Sequence, residues 1–312
     1  MVSAVVRAAF TTMARSDLLK RLASRYGMRQ PASFARRFVA GESVDEALAA
    51  ARELRASGMM STLDLLGESV TSAHEARTAT RDYISLLEAI AAADVDRNIS
   101  LKLTQLGLDV DRATCFDNLR RVLDVAKPAG FFVRIDMESS EYVEQTLDIF
   151  STVWGIGYRD VGVVIQSCLR RSDADVRRLN ALGARVRLVK GAYREPRRVA
   201  FTDKREVDAA FVELTRRLLA GGTYPAIATH DPAMIAATET VARERGLARD
   251  RFEFQMLYGV RRDLQAALTA EGYPFRVYVP FGREWFPYFM RRLGERPANV
   301  GFVLRALVRE GR

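Results

Sequence analysis

Cysteine is scarce in this sequence. The two cysteines, Cys115 and Cys168, stand far apart, and neither lies in a CxxC or CxxH pattern. Structural zinc sites and disulfide frameworks use closely spaced sets of cysteine and histidine, so neither is indicated. This cysteine usage fits a reducing compartment best.

Long hydrophobic runs are also missing. No uncharged stretch approaches the roughly 18 to 20 residues that a membrane span requires. The opening residues, MVSAVVRAAFTTMARSD, contain a short apolar run interrupted by Arg7. They lack the continuous apolar core and the cleavage pattern of a signal peptide. We therefore expect a soluble, cytoplasmic protein.

The charge balance is basic, with 48 Lys and Arg against 39 Asp and Glu, a formal net charge of +9. The arginines are scattered through nearly every helical segment and never form a Lys/Arg-rich run interleaved with aromatic residues. That pattern argues against nucleic-acid binding. A net positive charge does favour weak peripheral contact with an anionic membrane, for which the inner face of the cell membrane is the expected place.

Two catalytic signatures are missing as well. There is no GxSxG nucleophile elbow, and no strand is followed by GxGxxG and a helix. The nearest approach, WGIGYRDVG, has Gly155, Gly157 and Gly162 at the wrong spacing and ahead of a strand. Any dinucleotide must therefore be held in a non-Rossmann way.

The overall composition is that of an ordinary globular protein, with 48% hydrophobic and 28% charged residues among 312. Residues 14 to 56 predict helices, with starts at Ser16 and Ser43 and a stop at Gly58. After Gly58, short β-rich apolar runs alternate with longer amphipathic segments. The eight runs cover residues 59–68, 99–107, 130–139, 161–168, 185–193, 225–231, 251–259 and 276–282.

The intervening segments predict helices, most of them headed by Ser, Thr or Asp in cap position. Their starts fall near Ser72, Asp111, Ser140, Ser172, Thr202, Asp231 and Gly259. Eight strand–helix units in about 250 residues predict an α/β fold, a (β/α)₈ TIM barrel preceded by N-terminal helices. We expect a helical segment at 1–58 and a barrel at 59–312, with the final helix over the barrel mouth.

The predicted strands turn polar at their C-terminal ends, which in a barrel converge on one mouth. These polar residues are Glu68, Lys102, Thr104, Asp136, Glu138, Gln166, Arg187, Lys190, Thr229, His230, Asp231, Gln255 and Tyr278. Asp136, Glu138 and His230 could suggest a metal site, but the neighbouring cations would repel a metal ion, so none is expected.

A cationic mouth suits an anionic ligand, either a carboxylate substrate or a phosphate-bearing cofactor. Two other interpretations stay open at this point. Lys190 could form a Schiff base, as in barrel lyases, or the barrel could bind an anion without catalysis.

Nine segments in order along residues 37 to 300 carry a resemblance to a known family. They are RFVAGE (37–42), TLDLLGE (62–68), LKLTQLGLD (101–109), RIDMESS (134–140), RLVKGAY (187–193), ATHD (228–231), EFQMLYG (253–259), RVYVPFG (276–282) and YFMRRLGERPAN (288–299). Together they resemble the flavin-dependent proline dehydrogenases. The resemblance is to the compact single-function bacterial enzymes, so we expect no aldehyde dehydrogenase module of the kind found in the bifunctional proline-utilisation proteins.

This resemblance implies a distorted (β/α)₈ barrel with non-covalent FAD at its C-terminal mouth. It also implies oxidation of L-proline to Δ1-pyrroline-5-carboxylate, the first step of proline catabolism, with electrons passing onward to a membrane quinone.

The same resemblance implies a role for each matching residue. Arg187 would lie against the reactive part of the flavin, and Asp136 would have a supporting electrostatic role in catalysis. Further flavin contacts would come from Met137, Gln166, Lys190, Gly191, Ala192, Thr229 and His230. The proline carboxylate would be held by Lys102, Arg291 and Arg292.

Leu188, Tyr193 and Tyr278 would form the walls around the proline ring, and Tyr278 is the variant that resembles proline rather than hydroxyproline specificity. Glu295, one helical turn beyond Arg291, is expected to brace the arginines, and Glu68 to pair with one of them as a gate.

Overall fold

The computed structural model describes residue 28 and residues 34–295, with only the backbone for residue 34 and residues 291–295. Within this part of the chain, eight parallel strands close into a barrel in sequence order, which confirms the predicted fold. The strands are β1 (Met60–Leu65), β2 (Asn98–Leu101), β3 (Phe132–Ile135), β4 (Val161–Gln166), β5 (Arg185–Val189), β6 (Ala226–Ala228), β7 (Glu253–Leu257) and β8 (Phe275–Phe281). Pairing of β8 with β1 closes the barrel.

Helices follow the strands around the outside, and the main apolar core lies between them and the sheet. The α-helices of the described residues are α1 (Val44–Ala56), α2 (Ala73–Ala91), α3 (Arg112–Ala126), α4 (Val143–Gly155), α5 (Ser172–Ala181), α6 (Lys204–Gly221), α7 (Pro232–Glu244), α8 (Arg262–Ala270) and α9 (Trp285–Glu295). Two short 3₁₀ helices cover Phe34–Arg37 and Arg249–Arg251. The helix predicted from Ser16 lies outside the described residues.

Side-chain caps set four of the predicted helix starts. Ser43 and Ser72 form capping boxes with the Glu residues at the third helical positions of α1 and α2. Asp111 and Asp231 accept hydrogen bonds from the first turns of α3 and α7. Ser172 is the first residue of α5. These starts agree with the sequence because a cap depends only on neighbouring residues.

Three starts were predicted too early. Ser140 does not cap α4, because its amide and hydroxyl groups both donate to the Glu195 carboxylate in the loop after β5. Thr202 is displaced as the cap of α6 by Asp203. Helix α8 begins later than Gly259, after a turn at the end of β7. A long-range contact of the Ser140 kind leaves no local signal in the sequence.

Helix α1 belongs to the outer layer of the barrel. It packs against β1 and β8, where the helix after β8 would lie in a regular barrel. Its buried residues, Ala47, Leu48, Ala50 and Ala51, join the main core. Although the division at residue 58 stays a prediction, the described end of the first segment is part of the barrel wall.

Because α1 occupies that place, α9 packs elsewhere. A second apolar cluster joins α9 to the start of the described chain and to the end of β1. Its members are Met28, Ala35, Phe38, Val39, Leu66, Trp285, Phe286, Tyr288, Phe289 and Met290. Leu66 follows β1 directly, so this cluster places α9 at the mouth end of the barrel.

The segment before α1 is held against the same end by backbone contacts. The Ala40 amide donates to the Pro280 carbonyl at 2.9 Å, and the Gly282 amide donates to the Gly41 carbonyl at 2.9 Å. At Gly259 (φ +70°), an added Cβ would lie 1.6 Å from the Arg37 carbonyl oxygen, so only glycine allows this close approach.

Candidate active site

The barrel interior is polar because strand register aligns polar residues on one face. Asp64 on β1 pairs with Ser100 on β2, and Ser100 pairs with Arg134 on β3. Deeper in the barrel, Arg276 forms a buried ion pair with Glu253, 3.0 Å between Nε and Oε1. Neighbouring residues in a parallel register share a face, so these side chains line the inside of the barrel.

Arg187 lies at the centre of the mouth. Its guanidinium donates to Asp136 Oδ1 at 2.7 Å and to Ser100 Oγ at 3.0 Å. The Ser100 hydroxyl in turn lies 3.2 Å from Thr62 Oγ1. Arg187 is 4% exposed, and its buried Nε has no hydrogen-bond partner in the described part of the chain. The guanidinium is thus fixed on two sides and keeps one donor available.

Tyr278 completes this network. Its hydroxyl donates to Asp136 Oδ2 at 2.8 Å, and the Arg187 guanidinium lies 5.3 Å from the centre of its ring. Burial and the Asp136 and Asp64 carboxylates raise the pKa of Tyr278 well above its usual value. Tyr278 therefore remains a donor, and both Asp136 oxygens are occupied.

Lys102 provides a second buried cation at the mouth. Its ammonium lies 3.5 Å from Asp64 Oδ1, with 7% of Lys102 and none of Asp64 exposed. Burial alone favours the neutral amine, but Asp64 and Asp136 outweigh burial and raise the pKa of Lys102. Lys102 thus offers a permanent positive charge.

Glu138 links the loops that follow β1, β2 and β3. It accepts from Thr104 Oγ1 at 2.6 Å and from the Thr104 amide at 3.2 Å. The Ser69 amide donates to the same Thr104 hydroxyl at 3.0 Å. Gln166 Nε2 donates to the Glu138 carbonyl at 2.9 Å. These bonds hold the loop that carries Glu68 and also orient Gln166.

Lys190 differs from the other cations. Its ammonium donates to Asp231 Oδ2 at 2.6 Å and to Asp208 Oδ1 at 2.5 Å. Asp231 also caps α7, so these bonds tie the end of β5 to the helices. The Lys190 side chain thus has a structural role, and its predicted contact with a cofactor stays a prediction.

The backbone after β5 passes close to the end of β4. Gly191 has φ +115°, and an added Cβ would lie 2.4 Å from Cys168 Sγ and 3.2 Å from Gln166 Oε1. Gly191 and Ala192 are exposed, and among the described residues their amide groups donate no hydrogen bond. Exposed amide groups of this kind suit an anionic or carbonyl oxygen.

Thr229 and His230 follow β6 in a fixed conformation. The Thr229 amide donates to the Gln255 carbonyl at 3.1 Å, and its hydroxyl accepts from the Asp231 amide at 3.1 Å. His230 Nε2 accepts from the Leu257 amide at 2.9 Å, which assigns the proton of a neutral ring to Nδ1. The ring is thereby anchored to β7.

The placement of Leu188 does not favour its expected role, which stays a prediction. Leu188 was expected to form a wall around the substrate ring, but it follows Arg187 on β5, and successive strand residues point to opposite faces. It is fully buried in the core behind the sheet. Leu257 pairs in register with Tyr278, so this partly buried side chain is the better apolar candidate at the mouth.

For the other predicted site residues, the structure gives a position but does not test the role. Met137 is buried beside Asp136, whereas Tyr193 and Glu68 are partly buried. Arg291, Arg292 and Glu295 lie on α9, and their side chains fall outside the described residues. Their roles therefore stay predictions.

The prediction of the site missed two residues, Asp64 and Ser100. Asp64 shares a face of β1 with Thr62, which lies deeper in the barrel. Ser100 shares a face with Lys102, which follows β2 and was among the predicted site residues. Polar residues at alternate positions of a buried strand were the signal that could have revealed both.

Over residues 34–295, no three His, Cys, Asp or Glu side chains converge to hold a metal ion. In the same residues, no helix has the length and apolar character of a membrane span. The mouth thus combines fixed cations, a buried carboxylate and aromatic or aliphatic walls. This combination suits an anionic ligand.

Comparison with known proteins identifies the family. A proline dehydrogenase family model matches residues 47–305. Proline dehydrogenase 2 of Bacillus subtilis is 39% identical over 306 residues, 98% of this chain and 100% of that protein. The proline dehydrogenase of Deinococcus radiodurans is 40% identical over 313 residues, 99% of this chain and 100% of that protein.

Solved structures agree. Proline utilization A of Bdellovibrio bacteriovorus matches with a TM-score of 0.78 and 31% identity, covering 83% of this chain and 32% of that one. This chain therefore spans about a third of that protein's length. The fold and site define a (β/α)₈ oxidoreductase. The chain belongs to the proline dehydrogenase family.

Proposed function

We propose that this protein oxidises L-proline to Δ1-pyrroline-5-carboxylate with FAD as its cofactor and a quinone as the final acceptor. Family membership supports proline as the substrate. The observation that carries the proposal is the buried network of Arg187, Asp136 and Tyr278, with the Lys102 ammonium nearby. This network provides fixed charge for a small amino acid and its oxidant.

The residues present fit a bound FAD. The exposed amide groups of Gly191 and Ala192 suit an anionic or carbonyl part of the cofactor. Arg187 Nε is a buried donor without a partner among the described residues, and Gln166 and His230 are held by bonds at the neighbouring strand ends. Bound FAD would supply the hydride acceptor.

The side chains of this chain would bind and orient the substrate. Lys102, with Arg291 and Arg292 on α9, would hold the proline carboxylate, and several contacts fix an orientation that one contact cannot. The same cations oppose protonation of the substrate amine and favour its reactive neutral form. Asp136 would act by holding Arg187 in place, because both of its oxygens are already engaged.

Transfer to a membrane quinone would require the protein to meet a membrane from the cytoplasmic side. The net charge of +9 supports peripheral contact with an anionic surface. Sedimentation with phosphatidylglycerol vesicles but not with neutral vesicles would be the expected result. Equal sedimentation with both would contradict an electrostatic contact.

The deciding experiment for the reaction is the visible spectrum of the purified protein before and after anaerobic addition of L-proline. We expect flavin absorbance that bleaches on addition. Lys102→Met should keep the flavin but require far more proline for bleaching. Lys127→Met is the matched control, because the Lys127 ammonium lies on the surface near the Gly157 carbonyl.

Two alternatives predict different results. A Schiff-base lyase would be colourless and could not be reconstituted with FAD, while a non-catalytic barrel could contain flavin that L-proline never bleaches. The dehydrogenase relatives and the two carboxylates that hold the Lys190 ammonium both disfavour the lyase. A Schiff-base lysine has to present an unprotonated amine to a carbonyl group.

A further inference from the structure

Asp64 is an unusual buried carboxylate. It lies on β1, is fully buried, and neither of its oxygens has a hydrogen-bond partner in the described part of the chain. Buried carboxylates normally accept several hydrogen bonds, because an unsatisfied charged group is costly. A carboxylate kept in such surroundings calls for a functional explanation.

The groups around Asp64 act on its charge in opposite directions. Burial and the Asp136 carboxylate on β3 raise the pKa of Asp64, whereas the Lys102 ammonium and the Tyr278 hydroxyl on β8 oppose that rise. The Tyr278 hydroxyl also donates to Asp136. Tyr83 on α2 donates to Gln105 Oε1 at 2.8 Å. The Lys102 ammonium on β2, at 3.5 Å, is the positive group that offsets the charge of Asp64.

We infer that Asp64 is the counter-ion that keeps Lys102 charged and in place at the mouth, so that Lys102 can receive the substrate carboxylate. Asp64 thus acts as a positioning residue, through Lys102 and without touching the substrate. This inference rests on the proposed function, in which Lys102 binds that carboxylate. It adds a residue on β1 to the binding machinery.

The sign of the effect follows from burial. Asp64 is the first of the groups that raise the pKa of Lys102 against the opposing effect of burial. Asp136, Glu68 and Tyr193 also raise that pKa, but without the Asp64 charge they alone oppose burial. The pKa of Lys102 therefore falls in Asp64→Asn, and Lys102 becomes neutral at a lower pH than in the wild type. A neutral amine attracts a carboxylate weakly, so affinity should be lost on the alkaline side only.

The test uses tetrahydrofuran-2-carboxylate, which carries the proline carboxylate but has a ring oxygen in place of the amine. Its dissociation constant is measured by calorimetry between pH 6 and 9.5 with the flavin-loaded protein. Wild-type affinity should stay constant within about threefold. Asp64→Asn should match it at low pH and lose about tenfold for each pH unit above the lowered pKa of Lys102.

A double-mutant cycle separates this role from a structural one. Asp64→Asn should have no further effect on affinity in the Lys102→Met background, because the effect acts through Lys102. Asp148→Asn is the matched control, since it removes the carboxylate of an exposed ion pair with Arg112 and should leave the pH profile unchanged.

A pH-independent affinity in Asp64→Asn, or an equal loss in both backgrounds, would overturn the inference. If Asp64→Asn does not fold, the wild-type profile decides: constant affinity supports the inference, and a tenfold loss between pH 7 and 9 refutes it. Bleaching by L-proline tests the reaction separately, so a failure of the proposed function is distinguishable from a failure of this assignment.

Discussion

Replacing Tyr278 with Phe removes one hydroxyl and keeps the ring. The hydroxyl donates to Asp136 Oδ2 at 2.8 Å in a partly buried position, while the ring stays under the Arg187 guanidinium. A hydrogen bond to a charged group contributes about 1.5–3 kcal/mol. We expect the free energy of unfolding of Tyr278→Phe to fall by about that amount, because Asp136 retains only its bond to Arg187.

Tyr142→Phe is the matched control. Tyr142 also donates to an aspartate, Asp109 Oδ1 at 2.7 Å, but at an exposed position. Water replaces the lost partner there, so its free energy of unfolding should change by less than about 1 kcal/mol. Both changes remove a Tyr–Asp hydrogen bond, so the difference between them measures the effect of burying that bond at the site.

Two measurements test the prediction. Urea unfolding gives the free energies, and steady-state oxidation of L-proline gives kcat/KM. Tyr278→Phe should lower kcat/KM by about tenfold to a hundredfold, since each 1.4 kcal/mol corresponds to tenfold. Tyr142→Phe should leave kcat/KM unchanged. Equal losses in the two variants would show that the Tyr278–Asp136 bond has no special role.

Two further changes concern Gly191 and the last helix. Gly191→Ala should be destabilised by more than about 2 kcal/mol and should retain less flavin, because its φ is +115° and its Cβ would meet Cys168 Sγ at 2.4 Å. Gly246→Ala is the control, because Gly246 has φ +61° and a Cβ added there would meet no atom within 4 Å. Its free energy of unfolding should fall by only about 1 kcal/mol. Equal falls for the two variants in urea unfolding would exclude a steric contribution at Gly191. Arg291→Met or Arg292→Met should raise KM for L-proline by about tenfold or more with flavin retained, and loss of flavin at unchanged KM would contradict their assignment to the carboxylate.

Local signals predicted the fold well. The caps at Ser43, Ser72, Asp111 and Asp231 lie where the sequence places them. The predicted strands were too long at their C-terminal ends; β2, for example, ends at Leu101 although the apolar pattern continues beyond it. That continuation forms turns at the mouth, which apolar content alone does not distinguish from strand.

The site was predicted less completely than the fold. Family motifs selected Asp136, Arg187 and Tyr278, and the structure brings these three together. Leu188 follows Arg187 on β5 and so points to the opposite face, and its expected role at the substrate ring stays a prediction. Asp64 was passed over because a single carboxylate in an apolar strand has no evident partner until β2 is placed beside it.

The sequence by itself determined the order of strands and helices, the caps and the residue types gathered at the strand ends. These properties depend on neighbouring residues in the chain and on the spacing at which apolar residues recur in helices and strands. Only the tertiary structure decided which polar groups meet: Asp64 with Lys102, Asp136 with Arg187 and Tyr278, and Lys190 with Asp208 and Asp231. Those pairings depend on register and closure of the barrel, which join residues far apart in the chain and so give each cation its particular partner.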